Sequence, residues 1–196
     1  MATEHSAQVA RLRDKLARLL DLCRDHAAFA RQHRIFPPQP ALDLTQLAQF
    51  EASHAVKLPE DYAEFLTGIA NGCPGPAEGI LPLECWAETV MVSATATAGP
   101  DYLAEPCPLH PDLPRDASWM KALGSPRYGP YQGAMAIGRR GGRRYTVLVV
   151  AGPHRGRVVH IDLELTAPRF AAQRKFLDWY EDWLDETLES AQYEAI

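Results

Sequence analysis

Nowhere does this chain hold an apolar stretch near the roughly 20 residues needed to cross a bilayer. Nor does it open on the apolar run of a secretory signal, because Arg11, Arg13, Asp14, Lys15 and Arg18 interrupt the first segment. Cysteine is scarce: Cys23, Cys73, Cys85 and Cys107 stand at irregular intervals. Without an export signal these thiols are expected to be free, and the expected compartment is the cytoplasm. Positive charge is also in deficit, with a formal net charge of −5 and a pI near 5.8. An acidic surface repels phosphates at long range, so neither nucleic acid nor membrane is expected as a partner. There is no internal repeat and no Gly-x-Ser-x-Gly nucleophile elbow.

What is present belongs to an ordinary globular protein, 46% hydrophobic and 23% charged over 196 residues. That length suffices to bury a core without disulfides or metal. Residues 1–40 read as an N-terminal helical arm with a proline-rich linker, and residues 41–196 as one α+β domain. Val9, Leu12, Leu16, Leu19, Leu20, Cys23 and Ala27 recur at helical steps, and Pro37, Pro38 and Pro40 then hold the chain extended. Charge is uneven: residues 1–34 carry seven Arg/Lys against four Asp/Glu, while residues 174–196 carry two against seven. The two ends either attract each other or face different partners; two solvated helix faces are the plainer reading.

Asp43 through Gln46 has the form of a capping box, which predicts a helix whose buried face is Leu44, Leu47 and Phe50. Another helix starts near Pro59, with Glu60 and Asp61 complementing its dipole, and Asn71-Gly72 is a plausible C-cap. Ser93 to Gln132 holds seven prolines and few periodic apolar positions, so a long irregular surface excursion is expected. Strands are predicted at 134–137, 145–151 and 158–162, joined by glycine turns as an antiparallel meander. A final helix buries Phe176, Tyr180, Trp183, Leu184 and Leu188. Helices, then strands, then a helix make the fold class α+β: a mixed, largely antiparallel sheet with a meander, backed by N-terminal and C-terminal helices.

Four stretches carry a resemblance. They are Leu58-Pro59-Glu60-Asp61-Tyr62, then Asn71-Gly72 leading to Gly79-Ile80-Leu81-Pro82-Leu83-Glu84, then Gly133 through Asp162, and Phe176 through Leu184. In order and spacing they resemble the SUKH superfamily, which includes fungal cell-wall assembly regulators and bacterial toxin-immunity proteins. The resemblance spans roughly residues 43–190. It departs at the first hairpin turn, where Arg140-Gly141-Gly142 replaces the usual Gly-Cys-Gly. It implies a protein-binding role: most of all a bacterial immunity protein that neutralises a cognate toxin stoichiometrically, with a housekeeping adaptor or regulatory scaffold as the alternative. Ala- and Arg-rich usage favours the bacterial branch.

Candidate chemistry is thin. Cys107-x-x-His110 has a spacing that lets two zinc ligands share one turn, yet no second close pair accompanies it. Seven histidines make accidental pairing with cysteine easy, but none sits in a hydrolase signature. No catalytic, metal or cofactor site is therefore expected. The candidate partner-binding residues are the carboxylates Glu60, Asp61, Glu64, Glu78, Glu84 and Glu88, which would steer a basic toxin domain, and Arg139, Arg140 and Arg143. Those arginines lie in the one basic concentration, Arg139-Arg140-Gly141-Gly142-Arg143-Arg144. Solubilising charge at a hairpin tip is its plainer reading; docking of an acidic protein, and a phosphate or nucleic-acid contact, are the sharper ones. Trp179 and Trp183 share a helix face; packing against the sheet is the plainer reading, and a rim anchor for a partner the other.

Overall fold

The computed structural model describes residues 5–91, 99, 101–164 and 166–194. Within them α1 (Ser6–Asp25) and α2 (Ala27–Gln32) lead through an extended proline segment to α3 (Leu44–Ser53) and α4 (Glu60–Gly68). Three short turns of helix follow, a 3-10 turn (Leu83–Cys85), α5 (Glu88–Met91) and α6 (Trp119–Ala122). The strands are β1 (Ala134–Arg139), β2 (Arg144–Val149), β3 (Val158–Asp162) and β4 (Arg169–Phe170), and α7 (Phe176–Glu194) closes the fold.

The four strands lie in sequence order and all three pairings are antiparallel, the largely antiparallel meander expected, with a short fourth strand added. The protein is α+β, with helices before the sheet and a helix after it. Consecutive β2 residues from Tyr145 to Val149 are all buried, because both faces of the sheet are covered. One face carries Met135, Leu148 and Val158 against α1, α4 and α7. The other carries Ala136, Val147, Val149 and Ile161 against Leu109, Leu113, Trp119 and Tyr131. That second layer comes from the proline-rich excursion, of which residues 93–98 and 100 lie outside the described residues.

The outer edge of β1 is not left open. Leu81 N–H donates to Ile137 O at 2.9 Å, Glu78 N–H to Arg139 O at 3.2 Å, and Ala136 N–H to Trp86 O at 2.9 Å. The opposite edge, β4, is only two residues long, one of the ways natural sheets blunt a free edge.

The charge asymmetry of the two ends has a structural meaning. α1 lies along α7 with Val9, Leu12, Leu16 and Leu19 buried in the helical side of the core. Beside that seam Arg11 Nε meets Glu181 at 3.0 Å, and Lys15 Nζ meets Glu181 at 2.8 Å and Asp185 at 2.7 Å. Gln8 donates to Asp178 at 3.0 Å. Exposed pairs of this kind add little stability each, so the apolar stripe holds the helix and the charges fix its register. Among the described residues no helix is long and apolar enough to cross a membrane.

Candidate protein-binding surface

The six carboxylates singled out in the sequence do not form one patch. Asp61, in the first turn of α4, is buried, and its Oδ2 accepts from the backbone N–H of Phe176 at 2.7 Å and of Leu177 at 3.3 Å. It satisfies donors that the start of α7 cannot pair internally. Glu60 beside it is exposed and Glu64 is half-buried near α1. Glu84 is exposed and accepts from Asn71 Nδ2 at 3.1 Å. Glu78 pairs with Arg34 at 2.8 Å. Glu88 is buried and holds Arg139 through two contacts, one of them from Nε to Oε2 at 2.7 Å.

The arginines are better gathered. The β1–β2 turn passes through Gly141 at φ 79° and Gly142 at φ 60°, two consecutive left-handed residues that glycine adopts without a Cβ penalty. Arg140 N–H donates to Arg144 O at 2.9 Å across that turn. Arg139 turns to Glu88, while Arg140, Arg143 and Arg144 are exposed. Register then adds a residue from far along the chain: Thr146 lies opposite His160, and His160 opposite Arg169. Arg144, two residues before Thr146, shares its face of the sheet. Thr146 Oγ1 and His160 Nδ1 are 3.3 Å apart, and the His160 ring lies 6.4 Å from that of Trp179 on α7. This row therefore faces the helix.

The electrostatics follow from that crowding. Partial burial, then the charges of Arg144 and Arg169, lower the proton affinity of Arg140. Burial and then Arg140 bring His160 down to about 4, so its imidazole is neutral near pH 7. Below the row is a groove of about 410 Å³. Its sheet wall is His160, Arg169 and Phe170; its helix wall is Trp179, Trp183, Asp182 and Glu186. Trp179 is buried and Trp183 only partly so. Gln173 donates to Asp182 at 2.6 Å at the groove's end.

The sequence offers Trp183 as a rim anchor, but Arg169 and His160 were not among the candidate site residues. Nothing in their spacing marks them: Arg169 follows Ala167-Pro168 in a stretch without period, and only strand register brings it to the hairpin. Cys107 is buried, and burial pushes its thiol up to about 12. Among the described residues no three His, Cys, Asp or Glu side chains gather as a metal site. Compared with protein families, with curated proteins and with solved structures, the chain matches none.

Proposed function

We propose that this chain is a protein-binding module that acts by occupying a partner's surface one-to-one, as a bacterial immunity protein occupies its cognate toxin. The observation that carries the binding reading is that strand register brings the exposed Arg140, Arg144 and Arg169 to one end of the sheet, above a groove with a partly exposed tryptophan. Guanidiniums gathered at one end of a sheet repel one another, and an arriving anion relieves that repulsion. A partly exposed tryptophan beside such charge has the composition of an interface anchor. The toxin as partner is supported by the SUKH resemblance of residues 43–190, and residence in the cytoplasm by four cysteines left unpaired. An interface of about 1,600 Å² would be ordinary for such a complex.

The experiment is affinity capture from the native host with tagged full-length chain, followed by the mass of the eluted complex in solution. One protein recovered at one-to-one stoichiometry, whose toxicity the chain relieves on co-expression, is the expected result. A captured partner that is a metabolic or envelope protein, with no toxicity to relieve, would remove the immunity reading.

A further inference from the structure

We infer that the partner docks an acidic segment here, its carboxylates received by Arg140, Arg144 and Arg169 and an adjoining apolar side chain entering the groove against Trp183. This rests on the protein-binding reading and names the chemistry of its site.

Three arginines reach this end from separate elements: the turn after β1, the start of β2, and β4. No hydrogen-bond or ion-pair contact engages the Arg140 or Arg169 guanidinium among the described residues, and Arg144 reaches only Gly141 O at 3.4 Å within its own turn. Arg139, one residue away, has its carboxylate already, in Glu88. Guanidinium forks match carboxylates two bonds at a time, and an arriving acid also relieves the repulsion that Arg140 meets from Arg144 and Arg169. His160, neutral and half-buried, adds no charge of its own.

The acids that face this cluster decide what kind of anion fits. Asp162 lies opposite Arg144 on β3, and Asp182 and Glu186 form the helix wall of the groove. A nucleic-acid backbone, charged at every step, would lay phosphates against those α7 carboxylates. Stacking groups are also short: Tyr145 is buried on the far face of the sheet, and Trp183 stands between the two acids. A protein segment with its carboxylates confined to the sheet side, and an apolar residue toward α7, meets no such repulsion.

The test titrates the intact chain with a twelve-residue peptide rich in Glu and Asp around one Leu, with its Gln/Asn isologue, and with a single-stranded oligonucleotide of equal charge. Tryptophan fluorescence and the backbone amide resonances of residues 139–146 and 169–170 report binding. The acidic peptide is expected to move those amides and to bind at least tenfold more tightly than the isologue. R140Q/R144Q/R169Q, shown folded by its thermal melt, should abolish that preference, and R169Q alone should lower it. Equal binding of the two peptides, unchanged binding by the triple variant, or tighter binding of the oligonucleotide would each overturn the inference. If a captured protein partner binds the triple variant as well as the native chain, the inference falls and the protein-binding reading stands. If the acidic peptide binds as expected but no protein partner is captured, the site stands and that reading falls.

Discussion

The Oδ2 of Asp61, at the start of α4, accepts the backbone N–H of Phe176, 115 residues later, at 2.7 Å. One carboxylate thus sets where the last helix begins and fastens it to the helix beneath. Asp61→Ala leaves those donors buried without an acceptor and should lower unfolding free energy by about 1–3 kcal/mol. Asp61→Asn keeps an acceptor and should recover part of the loss. Chemical denaturation of the three proteins measures both, and an Ala variant with a native midpoint would show the bond to be dispensable.

Acid should loosen the seam between α1 and α7. Burial disfavours the Glu181 charge, but hydrogen bonds from Arg11, Lys15 and Gln8 prevail and bring it down to about 2, below its ordinary 4.5. A carboxylate lowered in the folded state lends stability that is complete above its unfolded value and is lost as pH falls through the folded one. Stability should therefore decline between roughly pH 4.5 and pH 2, and Glu181→Gln should flatten that decline. Melting temperatures across this range, at low and high salt, report it directly.

Gly133 holds φ 66°, and a Cβ there would come within 2.2 Å of Glu105 O and 2.7 Å of Cys107 N. No flexible side-chain end is present to yield; both neighbours are backbone. Gly133→Ala should cost more than about 2 kcal/mol, combining strain with a forced shift of the segment that covers the second face. A variant melting within a degree of the native protein would show that this segment is loosely held.

Thiol reactivity should rank by burial. Burial pushes Cys73 and Cys107 up to about 12, so neither offers a thiolate near neutral pH. Cys85 is only partly buried, though its thiol too is raised by burial and by Glu88 and Glu84. In the folded protein an aromatic disulfide reagent should modify Cys85 first, and Cys73 and Cys107 only after denaturant is added. Mass spectrometry after partial labelling distinguishes the sites.

Local signals in the sequence were reliable where the physics is local. Asp43 and Gln46 form the reciprocal capping box their spacing predicts, with Gln46 N–H to Asp43 Oδ1 at 2.7 Å. Leu44, however, expected on the buried face of that helix, is exposed, and only Leu47 and Phe50 pack against the core. The strand predicted at 158–162 is β3 as observed, and the α+β order follows from alternation of period alone. Asn71 shows the limit: α4 ends at Gly68, and the Asn71 side chain instead accepts from Leu83 N–H at 2.7 Å. The excursion from Ser93 hid its role for a similar reason. Trp119, Leu109 and Tyr131 are deeply buried yet follow no period, because an irregular layer inserts side chains wherever its turns allow. The groove was the least legible feature, since its walls join residues whose proximity is decided by register and helix packing, neither of which a one-dimensional pattern carries.

The seam between α1 and α7 also imposes an order on biosynthesis. The first described helix leaves the ribosome with Leu12, Leu16 and Leu19 uncovered, and the helix that buries them is made some 150 residues later. Until then α2 and α4 can cover only part of that stripe, and the remainder stays bare, an obvious handle for chaperones. A ribosome that stalls before α7 would release a product with the α7-facing part of that stripe still bare, marking it for degradation, so chains completed through α7 should accumulate preferentially.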